Sequence, residues 1–173
     1  MILANISLLL YAVMLALVLY SVGTKGFIKK IGFKKLDGHT ILSAGFYLVV
    51  MLILSAVIGA IFYAAGQQED LQKVSQTIKS TNLPDVLIVL LLGSIVEELF
   101  FRGYLMRKTN ILFSTFVFGY FHIIYGSFSE VVGAFFLGLV LAYSFSRSKN
   151  LYVPTIAHIA YNLITVAVVV GAV

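Results

Sequence analysis

The 173-residue sequence is 61% hydrophobic and only 11% charged, with a net charge of +5 and no cysteine. A soluble domain is roughly 45–50% apolar and about 25% charged, so this composition, with a mean hydropathy of +1.04, excludes that class. The missing cysteine excludes disulfides, thiolate metal sites and thioether lipidation. The basic balance could serve nucleic acid, so the positions of the charges decide. Lys25, Lys29, Lys30, Lys34 and Lys35 form one cluster, Arg107 and Lys108 a second, Arg147 and Lys149 a third. Each lies between long apolar runs, as cytoplasmic loops of a membrane protein do. A nucleic-acid partner is therefore not expected; membrane lipid is.

A spanning helix needs roughly 20 apolar residues. Six candidates follow along the chain. The first, about Ile2–Val22, carries no charge, and its lysines follow it, which reads as a retained anchor rather than a cleaved signal peptide. The second is about Thr40–Ala65 and the third about Pro84–Leu105. The fourth, about Ile111–Tyr125, and the fifth, about Val131–Phe145, are short and must tilt or be shielded by neighbours. The sixth is about Val153–Val173. Pro84 and Pro154 fall where helices begin, which suits proline.

Loops one, three and five hold the basic clusters. Loop two, 66–83, carries Glu69, Asp70, Lys73 and Lys79, and loop four only Glu130. Both termini are therefore expected outside. Leu71, Val74 and Ile78 have helical spacing, which reads either as a short amphipathic helix on the outer surface or as a plain polar loop. Ala134, Gly138 and Ala142 recur every four residues, which lets helix backbones approach within one chain. The expected fold is an all-α, polytopic helical bundle of about six spans. It forms a single transmembrane domain, 1–173, with a motif-bearing core over 84–173 and a two-helix extension over 1–66.

A charge near the bilayer centre costs roughly 2.5–3.5 kcal/mol on insertion scales. The third span nevertheless carries Glu97, Glu98 and Arg102, the fourth His122, and the sixth His158 and Asn162. One shared cavity is the economical arrangement. Glu98 and Arg102 have the favourable order for an i,i+4 ion pair. Glu97 points about 100° away on an α-helix and lacks a partner on its own face. Gly93, one turn before it, admits a close neighbour. His158 and Asn162 share one face, and Phe118 can wall one side of His122. Depth is less comfortable. At about 1.5 Å per residue, Glu97 lies roughly 15 Å from Arg107, His158 roughly 10–12 Å from Lys149 and His122 roughly 18–20 Å from Lys108. His122 joins the others only if its helix starts outside the hydrocarbon or tilts.

A desolvated glutamate near a histidine suits activation of water, and His158 with Asn162 can donate to a developing oxyanion. Glu97-Glu98-Leu-Phe-Phe-Arg102-Gly103 resembles the EExxxR motif of the CPBP (Abi) intramembrane proteases, which include the type II CAAX prenyl endopeptidases. Phe118-Gly-Tyr-Phe-His122 is similar to their FxxxH motif, and His158-Ile-Ala-Tyr-Asn162 to their HxxxN/D motif. The three occur in the family's order over about 65 residues.

The resemblance implies Glu97 as the base, His122 as its partner, and His158 with Asn162 as the oxyanion hole. Glu98, Arg102 and Phe118 support them. It also implies cleavage of a peptide or membrane-protein substrate near the cytoplasmic face, with the cavity open toward that side. A multi-pass place in a bacterial plasma membrane is expected, with a role in peptide maturation, bacteriocin immunity or surface-protein handling. No HExxH is present. Zinc on Glu97, His122 and His158 is possible, but a metal-free mechanism with no cofactor is favoured. The rival readings are a non-catalytic scaffold or immunity factor of the same fold, and a proton or ion transporter.

Overall fold

Polar residues at the helix starts set the register of the bundle. Asp37 accepts from the Thr40 amide at 3.0 Å, Asn110 from Phe113 at 2.9 Å and Ser127 from Glu130 at 3.1 Å. Each satisfies one of the backbone donors that a helix start leaves open. The computed structural model describes residues 2–171, with side chains from residue 5. Its helices are α1 Ile2–Val22, α2 Phe27–Ile31, α3 Gly38–Ala64, α4 Gln68–Ser80 and α5 Leu83–Glu97. α5 runs on into a π-helical segment, Glu98–Leu105, and a last turn, α6 Met106–Lys108. α7 Ile111–Phe121 continues as a 3-10 turn, His122–Tyr125, and is followed by α8 Phe128–Ser148 and α9 Tyr152–Gly171. The expected end of the sixth span at Val173 lies outside the described residues.

No strand occurs among the described residues, so the fold is an all-helical bundle. Four helices are long and apolar enough to cross a membrane: Asn5–Val22, Gly38–Ala64, Phe128–Ser148 and Tyr152–Gly171. The segment Ile111–Tyr125 is apolar but shorter. Large apolar side chains on the outer surface, such as Leu42 at 76% exposure, suit contact with lipid. The chain is a multi-pass membrane protein.

The third predicted span is not one regular α-helix. Its α-helical part stops at Glu97, and the Glu98–Arg102 motif lies on the wider π turn. Such turns concentrate at functional sites. The 100° separation expected between Glu97 and Glu98 assumed an unbroken α-helix, so it does not describe this junction.

The loops alternate between two ends. At one end, buried Asn150 donates to the Lys35 carbonyl at 2.8 Å and accepts from the Lys34 amide at 3.1 Å. Leu151 N donates to the Gly32 carbonyl at 2.9 Å, and Arg107 to that of Lys30 at 2.6 Å. All three basic loops meet here. At the other end, Asp70 of α4 accepts from the amides of Ser129, 2.7 Å, and Phe128, 3.1 Å, and from Ser127 Oγ, 3.0 Å. Lys73 donates to Asp70 and to the Gly126 carbonyl, both at 3.0 Å. Burial raises the Asp70 carboxyl, but the hydrogen bonds from Ser129, Lys73 and Phe128 outweigh it and hold the group well below the usual carboxylate range.

α4 is the amphipathic helix that the spacing of Leu71, Val74 and Ile78 allows. Its apolar face is not turned onto a lipid surface, however. These three residues close the end of an internal cavity. The small-residue stripe on α8 packs within the chain, as expected. At Gly138 a Cβ would lie 2.7 Å from the Phe118 ring of α7, so only glycine admits that contact.

Candidate active site

Glu98 and Arg102 are buried to 0% and 1% exposure, and Arg102 Nη1 lies 3.0 Å from Glu98 Oε1. The pair does more than cancel charge. Glu98 Oε1 also accepts from His158 Nδ1 at 2.9 Å, so the motif on the π turn holds the imidazole of α9. Arg102 Nη2 donates to the Gly138 carbonyl at 3.1 Å, and its guanidinium lies 4.3 Å from the Phe118 ring centre. A buried ion pair is weak evidence of stability, because desolvation can exceed the attraction. Its value here is to fix His158.

The two histidines are held in the same way. Carboxylates and carbonyls only accept. His158 Nδ1 therefore carries its proton toward Glu98, and His122 Nδ1 carries its proton toward the Phe118 carbonyl at 2.9 Å. Both residues line the cavity. His158 Nε2 lies 3.9 Å from Glu97 Oε2. It donates to an oxyanion only when protonated, since its Nδ1 proton is engaged by Glu98. Phe118 walls the site as expected, 4.8 Å from the His122 ring and 6.1 Å from that of His158.

Asn162 Nδ2 donates to Ser94 Oγ at 2.9 Å, and Ser94 in turn donates to the Leu90 carbonyl at 2.8 Å. One amide hydrogen orients the side chain and the second remains. The structure thus brings Glu97, His122, His158 and Asn162 to one cavity. The expected depth conflict does not arise. α7 ends at Phe121, and the turn that follows carries His122 to the wall that it shares with Glu97, Tyr11 and Tyr125, its ring centre 5.9 Å from that of Tyr125.

Sequence reasoning missed three polar neighbours. Ser94 and Tyr125 had no motif to mark them. Tyr11 comes from α1, far away in the sequence, and its hydroxyl faces Glu97 and Tyr125. The close neighbour that Gly93 was expected to admit is this hydroxyl: any Cβ at Gly93 would collide with it. That glycine was the one sequence signal for Tyr11.

The cavity has a volume of about 390 Å³. Its walls come from Ser55 to Gly59 of α3, from α4, from the early turns of α8 and from the last turns of α9. None of the residues lining it belongs to the basic loops. The lining thus extends toward α4, and not to the basic end at which the cavity was expected to open. The physical cause lies below the site, where Phe101, Arg102 and Leu141 are fully buried and fill the bundle. The cavity extends toward α4.

The donor set for a metal is also testable. Zinc takes His and carboxylate ligands, and anchored Nδ1 atoms are common in zinc-binding histidines. Among the described residues, however, no three His, Asp or Glu side chains converge as a ligand group. The residues as placed do not fit a metal, and no step is routed through one.

A sequence profile described as "Type II CAAX prenyl endopeptidase Rce1-like" matches residues 79–164, the stretch that carries all three motifs. A protein of Bacillus subtilis (strain 168) named "Putative membrane peptidase YdiL" is 28% identical over 135 residues, covering 71% of this chain and 53% of that protein. The chain thus spans about half the length of the curated relative it matches. No solved structure matches. The three motifs meet in one cavity within the stretch that the profile matches, which supports a place in the CPBP family, the group of the Rce1-like CAAX endopeptidases.

Proposed function

We propose that the chain is an intramembrane endopeptidase with Glu97 as the base. The observation that carries this reading is the Glu98–His158 contact at 2.9 Å, which leaves His158 Nε2 3.9 Å from Glu97. Glu97 takes a proton from water held between it and His122 Nε2. The hydroxide attacks the peptide carbonyl, and negative charge passes from Glu97 to the carbonyl oxygen. That oxygen receives the His158 imidazolium and the second Asn162 amide hydrogen. Charge in the site moves a few ångströms without changing in sum, which matters where little water screens it. Glu97 then returns the proton to the leaving nitrogen, releasing an amine and a carboxylic acid. Tyr11 stands beside the Glu97 carboxylate in the cavity wall.

In this reading the chain crosses a bacterial plasma membrane six times. The basic loops lie in the cytoplasm, and both termini and α4 lie outside. The cavity is then reached from the α4 side, which favours peptide maturation or surface-protein handling among the expected roles. Full-length protein in proteoliposomes, offered a mixed peptide library, tests it. Cleavage by the wild type and its loss in Glu97→Gln with unchanged melting supports the reading. Equal cleavage favours a scaffold, and pH-driven flux without cleavage a transporter. Chelation with metal analysis tests the metal-free chemistry: a stoichiometric zinc whose removal abolishes cleavage contradicts it.

A further inference from the structure

Glu130 is a carboxylate that the proposed chemistry leaves idle. It stands three residues after Ser127, the spacing of a capping box, in which the acid reaches back to the cap residue's amide. Half of that box forms, since Ser127 Oγ accepts from the Glu130 amide at 3.1 Å. The other half does not. Among the described residues the Glu130 carboxylate has neither a hydrogen bond nor an ion pair. Asp70 instead takes the amides of Phe128 and Ser129, so the start of α8 is already satisfied from α4. Glu130 lines the same cavity as Glu97, His122, His158 and Asn162.

The rest of that end of the cavity offers no counter-charge. No lysine or arginine lines it. Arg102 is held by Glu98 and Gly138, and Lys73 by Asp70 and Gly126. The surrounding wall includes Met51, Ile58, Leu71 and Val169. A carboxylate among such neighbours is costly unless an opposite charge meets it. The volume, about 390 Å³, suits a few side chains of an extended peptide.

Resting on the peptidase reading above, we propose that Glu130 determines specificity by binding a cationic amine or guanidinium of the substrate on the α4 side of the scissile bond. The preferred substrate is then a peptide with a Lys or Arg, or its own free α-amine, set among apolar residues.

The test uses the full chain in proteoliposomes and matched apolar peptides that differ at one position: Lys, Arg, norleucine or Glu. A charged hydrogen bond of the usual strength predicts that wild type favours Lys or Arg over norleucine by about tenfold or more in kcat/KM. Glu130→Gln should bring that ratio close to one, mainly through KM, and Glu130→Lys should turn the preference toward Glu. If acetylating the peptide's N-terminus lowers kcat/KM in wild type but not in Glu130→Gln, the α-amine is the bound cation; if acetylation leaves the Lys or Arg preference intact, the side chain is. Glu97-dependent cleavage with neither a basic preference nor an effect of N-terminal acetylation, or with either surviving Glu130→Gln, overturns the subsite alone. Absence of any Glu97-dependent cleavage overturns the peptidase reading and the subsite with it.

Discussion

The two ends of the bundle are tied by different chemistry. At the basic end, Asn150 and Arg107 bond to backbone carbonyls of the first loop, while the lysines around them stay in solvent. At the α4 end, one ionised side chain, Asp70, gathers three donors from the α7–α8 turn and the start of α8. The first end is filled to the core. The second covers a cavity. The contrast shows how a small membrane protein can fill one half of its bundle and leave a cavity in the other.

Removing Glu98 should break the filled half most. Glu98→Ala leaves Arg102 buried without its partner, which typically costs about 3–5 kcal/mol. Thermal melting in detergent should register the loss, and cleavage should vanish because His158 loses its anchor. Next is Asn150→Ala, which leaves buried partners unsatisfied at about 1–3 kcal/mol; melting should fall while KM stays near wild type. Gly93→Ala forces Tyr11 away from Glu97 and should cost about 1–3 kcal/mol as overpacking. Tyr11→Phe isolates the hydroxyl: kcat should fall severalfold with KM and melting little changed.

Asp70→Ala should also lower stability, and its sign with pH is defined. The Asp70 carboxyl is depressed in the folded chain. Its contribution is therefore complete above the ordinary carboxylate value of about 3.9 and is lost as pH falls below that toward the lower folded value. The difference in melting between wild type and Asp70→Ala should stay constant from neutral to mildly acidic pH and shrink only in stronger acid. Release of α4 should also raise the rate at which a thiol probe reaches the cavity in a Ser55→Cys background, which is clean because the chain has no cysteine. The same probe, in membrane-impermeant form, checks which side of the membrane α4 faces. Labelling of Lys79→Cys from outside the cell agrees with the charge rule; labelling only after lysis inverts the orientation.

Much of this was legible in the sequence because the costly residues are few. Ionisable groups in apolar runs pointed to Glu97, His122, His158 and Asn162, and the spacing of Glu98 and Arg102 gave their pair. Three features were not legible. A helical wheel assumes regular α geometry, so the π turn at Glu98 stayed hidden. Tyr11 and Ser94 are single polar atoms in apolar helices, and only three-dimensional packing shows that Tyr11 meets Glu97. The side on which the cavity lies depends on which layers of side chains fill the bundle, and charge in the loops carries no information about that.

The central claim is that Glu97 performs peptide hydrolysis in this cavity. Comparative peptidomics of cells carrying the native chain or Glu97→Gln, at matched membrane levels, tests it most directly. The account predicts a defined set of peptides present with the native chain and reduced about a hundredfold or more in the variant, the scale of a lost general base. Identical peptide sets at equal abundance would contradict it.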